Sequence, residues 1–290
     1  METEVLYVPM AGAGATAAWV TGPDTGVPIV LVHGFRGDHH GLNLIVDGIL
    51  KTLGSQASEY RIIVPDLPGF GQTPTMNATH DIAGFAAWLQ QFCHAVAPAG
   101  AHIIAHSFGT LVSAAAVGGG LQPLSLTLIN PISAPALEGP RALATKLAIA
   151  YYRAGAVLPQ KIAHKLLSNG IIVRGMSEIM AKTRDRQLRG WIHRQHSLYF
   201  SNFADTNSLL EAFQASVSTT VGEELGATAL PIQLIVGEKD DITALPEQLA
   251  LANKLPKAQI HIVGGVGHLV HYEAPLEAAQ LAIKFIQSLK

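Results

Sequence analysis

A mixed α/β fold on a mostly parallel sheet is what this sequence predicts, and three observations predict it. Six short apolar, β-branched runs recur along the chain, amphipathic stretches separate them, and the runs are continuously apolar rather than alternating. Continuous runs suit strands covered on both faces, and regular alternation of strand with helix implies parallel neighbours. The composition permits a core of that size, because 49% of the 290 residues are hydrophobic and only 14% are charged. The length accommodates one large domain with an insertion, or two domains.

In chain order, EVLYVPM and TAAWVTG read as an antiparallel edge pair. The strand runs are PIVLVHG at 28–34, RIIVPD at 61–66, AHIIAHS at 101–107, SLTLINP at 125–131, PIQLIVG at 231–237 and AQIHIVGG at 258–265. The helical stretches are 79–97, 108–118, 246–255 and 274–289. The alternation breaks once. From 133 to 226 there is no strand run, and apolar residues recur at helical spacing, as in RALATKLAIAYYRAGAVL. Residues 133–226 are therefore expected to form a helical insertion in a core domain of 1–132 and 227–290.

The formal net charge is -2 with no long run of one sign, so nucleic acid is not an expected partner. The single cysteine, Cys93, allows no intramolecular disulfide and suits a reducing compartment. The first residues lack the basic and apolar regions of a signal peptide. The most apolar later stretch, Leu143 to Leu158, is broken by Lys146 and Arg153 and too short for an integral membrane segment. A cytoplasmic protein is the expectation. Whether it is a monomer or a homodimer is left open.

The chemistry concentrates at three strand ends. In Ala105-His-Ser107-Phe-Gly109 a strand runs into a serine flanked two residues on either side by small residues, and a helix follows. A serine held in such a turn needs small neighbours so that strand and helix can approach. A helix amino end also favours negative charge beside it. Ser107 is the expected nucleophile. A serine needs a base, and of the 13 histidines His268 sits in a glycine-rich loop just past the last strand run. His271 is the alternative. The base needs an orienting carboxylate. Asp240 follows PIQLIVGEK in the spacing Gly-x-x-Asp and is preferred to Asp241. Asn130 occupies the end of the strand before that, so no acid is available there. The loop His33-Gly34-Phe35 supplies an oxyanion donor, with the backbone N–H groups of Phe35 and Phe108 as the expected pair.

Taken with HGF at 33–35, DLPGFGQT at 66–73, AHSFG at 105–109, GEKD at 237–240 and GHLVHYEAP at 267–275, the chain resembles the α/β-hydrolase superfamily. The resemblance implies the α/β-hydrolase fold, the chain order Ser, Asp, His for the triad, and a helical cap over the site that suits 133–226. Asp66 to Gly71 resembles the superfamily's structural turn and takes no catalytic role. Serine at 107 separates the chain from relatives with an aspartate nucleophile, such as epoxide hydrolases and haloalkane dehalogenases. No HGGPG or SGPG-like segment is present, which disfavours proline iminopeptidases and carbon–carbon bond hydrolases. Thr110 stands where a menaquinone-pathway synthase of this fold would carry an arginine.

The expected function is cleavage of a carboxylic ester or thioester, through an acyl-enzyme, of a small-molecule and fairly apolar acyl substrate. No cofactor or metal is required. The same triad also serves carbon–carbon hydrolysis, perhydrolysis, acyl transfer and cofactor-free oxygen chemistry, and the fold also serves non-catalytic ligand receptors. Asp38-His39-His40 reads as a loop and helix cap rather than a metal site. His193 and His196 read as a polar helix face. Glu273 reads as a structural support for the His268 loop. Trp191, Tyr199, Phe200 and Phe203 are candidates for pocket lining or for insertion core.

Overall fold

Eight strands and twelve α-helices make up the computed structural model, which describes every residue except 1, 13, 136–141, 227 and 290. The strands are β1 Thr3–Met10, β2 Gly14–Thr21, β3 Val27–Val32, β4 Tyr60–Pro65, β5 His102–His106, β6 Ser125–Ile129, β7 Ile232–Gly237 and β8 Gln259–Val263. The helices are α1 Asn43–Leu53, α2 Ile82–Val96, α3 Phe108–Gly118, α4 Ala142–Val157, α5 Gln160–Leu167, α6 Gly170–Met180, α7 Arg186–Tyr199, α8 Thr206–Ser216, α9 Val221–Leu225, α10 Leu245–Lys254, α11 Val270–Glu273 and α12 Pro275–Gln287.

All eight strands form one sheet in the order β1-β2-β4-β3-β5-β6-β7-β8. β1 pairs antiparallel with β2, and β2 antiparallel with β4; every other pairing is parallel. This is the α/β-hydrolase fold that the strand runs and motifs lead one to expect.

The apolar runs are continuous because each strand feeds two cores. In β3, Val30 and Val32 enter the core on the α2–α3 side, while Ile29 and Leu31 enter the one on the α1–α12 side. Ile103 and Ala105 against Ile104 divide in the same way in β5. Each such large side chain, fully buried, stabilises the fold by about 1.5–3 kcal/mol. β8 departs from the pattern: as the sheet edge it leaves Ile262 47% exposed.

Two helices are not foreseen in the sequence, α1 and the four-residue α11. α1 contains Gly48, which lowers its helical propensity. The reason for the glycine lies in packing, because a Cβ there would come within 2.8 Å of the Ala279 Cβ on α12. Between β6 and β7 the described residues of the 133–226 stretch form six helices, α4 to α9, and no strand; residues 136–141, which the expected boundary includes, lie outside the described residues. Cys93 is buried in α2, and burial pushes its thiol up to about 12.

Candidate active site

The sheet reverses its order at β3: the chain passes from β3 outward to β4, then returns to place β5 on the other side. Open α/β sheets form their clefts at the strand carboxyl ends on either side of such a point. The loop after β3 and the turn after β5 meet there.

Ser107 sits in that turn with φ 52° and ψ -119°, a left-handed conformation that a non-glycine residue rarely adopts. The turn closes because its neighbours are small. A Cβ at Gly109 would lie 2.4 Å from the Val32 carbonyl oxygen, and Ala105 is fully buried against β3. Gly34 packs on the serine, since a Cβ on it would lie 3.2 Å from the Ser107 Cβ. Phe35 N–H and Phe108 N–H, the latter in the first turn of α3, donate to no protein acceptor among the described residues. His33 holds the loop. Its Nε2 accepts from Leu67 N–H at 2.9 Å, so its Nδ1–H donates to the Gly34 carbonyl at 2.9 Å. Burial keeps His33 below its ordinary range, so it stays neutral.

His268 Nε2 lies 2.7 Å from Ser107 Oγ, and its Nδ1 lies 2.9 Å from Asp240 Oδ2. Asp240 is 4% exposed and saturated with donors. Oδ2 also accepts from Asn130 Nδ2 at 2.6 Å, while Oδ1 accepts from the N–H groups of Ile242 at 2.7 Å and Thr243 at 3.1 Å. Burial alone would raise this carboxyl. The charge and hydrogen bond of His268 and the two backbone donors outweigh it and hold Asp240 below the usual carboxylate range. An ionised Asp240 obliges His268 Nδ1 to carry its proton, which leaves Nε2 free to accept the serine hydroxyl proton. Asp241 points elsewhere, to the Lys182 ammonium.

Three neighbours were not legible as site residues. Asn130 is not a vacant acid position but a donor, bridging Asp240 and the Gly267 carbonyl from a φ of 48°. His106 donates from Nε2 to the His268 carbonyl at 3.0 Å; burial, then the nearby His268, lower its pKa to about 3. His271 packs its ring 3.9 Å from that of His106 instead of reaching Ser107, and burial lowers it well below the ordinary value.

Arg36 is the third, 2% exposed at φ 62°. Its guanidinium donates to the Phe200 carbonyl at 2.9 Å, the Leu167 carbonyl at 2.6 Å and the Tyr152 hydroxyl at 3.2 Å. Leu167 ends α5 and Phe200 caps the end of α7, so two helix carboxyl termini, each worth about half a negative charge, face one cation. A cation in a loop otherwise built of turn residues was the available signal.

The remaining candidates are structural. Glu273 accepts from Gly267 N–H and from the N–H groups of Lys182 and Thr183, tying the His268 loop to the segment after α6. His193 and His196 are buried rather than on a polar face, and both place Nδ1 within 2.7 Å of Ser177 Oγ. Asp38, His39 and His40 bring possible ligand atoms within 4.8 Å of one another. However, Asp38 accepts from His40 N–H, His39 Nδ1 bonds Asp66, and the rings stack between Trp19 and Tyr199. Trp191 packs on Tyr272, and Phe200 on His196. The rings around Phe35 are instead Phe70, Phe108, Tyr152 and Phe213.

Fold and geometry together define a class, the α/β hydrolases. The chain belongs to the alpha/beta hydrolase family, whose model matches residues 29–281. Among curated proteins it is 31% identical over 105 residues to a dihydrolipoyllysine-residue acetyltransferase component of the acetoin cleaving system of Cupriavidus necator, covering 36% of this chain and 26% of that one. It is 29% identical over 146 residues to a magnesium-chelatase 30 kDa subunit of Rhodobacter capsulatus, covering 49% and 43%. The matches thus span less than half the length of either relative. A solved thermophilic esterase of Thermogutta terrifontis superposes with a TM-score of 0.74 at 20% identity, covering 100% of this chain and 99% of that one, a likeness of fold.

Proposed function

We propose that this protein is a serine hydrolase that cleaves a carboxylic ester or thioester through an acyl-enzyme, with Ser107 as nucleophile, His268 as base and then acid, and Asp240 as the orienting carboxylate. The observation that carries the reading is the continuous hydrogen-bonded chain Ser107–His268–Asp240. Ser107 Oγ bonds to the substrate carbonyl carbon as its proton passes to His268 Nε2. The carbonyl electron pair moves onto oxygen, which the N–H groups of Phe35 and Phe108 receive. The tetrahedral species collapses, the bond to the leaving oxygen or sulfur breaks, and His268 gives that atom the proton. Water repeats the sequence in reverse and frees the acid. The chain's own residues carry every step.

The rings of Phe70, Phe108, Tyr152 and Phe213 around Phe35 favour an apolar acyl group, and the esterase with the same fold is consistent with ester chemistry. Helices α4 to α9 are proposed to cap the site, since Tyr152 and Phe213 reach Phe35 from α4 and α8. The test is Ser107→Ala on p-nitrophenyl esters and acyl thioesters of graded chain length. Turnover should fall on the order of 10⁶-fold, and a fluorophosphonate probe should label the native protein but not the variant. Turnover near that of the native protein would overturn the assignment.

A further inference from the structure

The charges of this chain are segregated. Residues 142–199, which form α4 to α7, carry ten Lys and Arg against two Asp and Glu, a net of +8. The rest of the chain carries nine against nineteen, a net of -10. No Asp or Glu occurs from 139 to 177.

Exposure is segregated in the same way. The five most exposed large aliphatic side chains all lie in this segment: Ile171, Val157, Leu147, Ile179 and Leu198. A helix at a protein surface ordinarily turns its apolar stripe inward. α4 turns Tyr152 inward but also leaves Leu147, Ala150, Ala154 and Val157 exposed at helical spacing, with Leu147 65% and Val157 83% exposed, and Lys146 and Arg153 beside them. α5 packs on α4 and adds Ile162, 55% exposed, between Lys161 and Lys165. Its Ala163 and Leu167 supply the buried face. An apolar cleft lined by Ile149, Arg153, Leu210 and Phe213 adjoins this surface.

We propose that the outer face of α4 and α5 docks on an anionic lipid bilayer. Exposed aliphatic residues enter the boundary between headgroups and acyl chains, and lysines and arginines lay their stems along it with the charges at the headgroups. Each such cation adds an increment of attraction to an anionic leaflet. The acidic remainder of the chain repels the same leaflet, so a protein of net charge -2 binds only in the orientation that presents α4 and α5. No helix among the described residues is long and apolar enough to cross a membrane, so the docking is peripheral. The proposal stands apart from the hydrolytic reading, because docking needs no turnover.

The test is cosedimentation of the full chain with extruded vesicles of phosphatidylcholine alone, or mixed with phosphatidylglycerol, at low salt and at 0.5 M NaCl. The native protein should partition onto the anionic vesicles, lose binding in high salt, and leave neutral vesicles largely unoccupied. Lys161→Glu with Lys165→Glu should lower partitioning by roughly 30-fold or more, at about one favourable increment per lysine. Leu147→Ser with Val157→Ser should weaken binding at unchanged charge. All four positions are exposed, and matching melting temperatures verify the fold. No sedimentation with anionic vesicles, equal binding to neutral ones, or variants that bind like the native protein would each overturn the proposal. So would native self-association that these substitutions abolish, which would assign the face to a second copy of the chain.

Discussion

Replacing Asp240 by asparagine tests the geometry of the site more sharply than removing the serine does. The side chain at 240 has one oxygen fixed by two backbone donors, Ile242 N–H and Thr243 N–H. An amide there must keep its carbonyl oxygen in that place, because its NH₂ cannot accept. The NH₂ group then takes the Oδ2 position, 2.9 Å from His268 Nδ1 and 2.6 Å from Asn130 Nδ2. Facing a donor, His268 must turn Nδ1 into an acceptor and carry its proton on Nε2, the atom that should receive the serine proton. The base is present but in the wrong tautomer. The corresponding change in a serine protease triad costs on the order of 10⁴-fold in kcat, about 5 kcal/mol of barrier. Asp241→Asn breaks a partly exposed pair with Lys182, worth about 0–1 kcal/mol, and should leave kcat within a few-fold. The assay is hydrolysis of a p-nitrophenyl ester at pH 8, with thermal melting as the control for folding. Asp240→Asn within ten-fold of the native protein, or Asp241→Asn falling as far as Asp240→Asn, would refute the reasoning.

Three further outcomes follow from the neighbours of the site. Burial lowers the His106 pKa to about 3 in the folded chain, whereas the unfolded chain titrates near 6.5, so the unfolded chain binds the extra proton between those values. Melting temperature should therefore decline as pH falls from 6.5 towards 3, and His106→Gln, which can still donate to the His268 carbonyl, should flatten the decline. Arg36→Met strands the buried acceptors of Phe200, Leu167 and Tyr152 and should destabilise the fold by about 3 kcal/mol in denaturant titrations. Asn130→Asp sets a second carboxylate where an amide now lies 2.6 Å from Asp240 Oδ2. Two carboxylates that close share a proton, so the acid limb of the kcat/KM profile should move to higher pH.

Much of this was readable beforehand, and the exceptions have physical causes. The strands were legible because those from β3 to β7 are buried along most of their length on both faces and are rich in apolar residues, a pattern that survives without knowledge of neighbours. The convergence of Ser107, Asp240 and His268 was to be expected because each lies at or just past the end of a strand run among local turn residues. α1 was not, since its Gly48 answers to Ala279 on a helix far along the chain. Asn130 looked like a vacancy because an asparagine announces nothing about the carboxylate it will face 110 residues later. Arg36 was hidden for the same reason, as its partners are the ends of helices whose boundaries carry little signal. The sequence also gives no means of choosing among thirteen histidines which are buried: His193 and His196 appeared to belong to a wet face, and only Ser177, one helix earlier, explains why they do not.

Arg36 and Glu273 grip the same run of helices, one through the ends of α5 and α7, the other through the backbone of residues 182 and 183. The insertion is thereby not an interchangeable module. A chimera that borrowed these helices from another member of the family would leave a bare guanidinium beside Phe35 and an idle carboxylate under Gly267. To work, the graft would have to bring its own counterparts of both residues, so the loops that carry Arg36 and Glu273 and the helices between β6 and β7 are expected to diverge together.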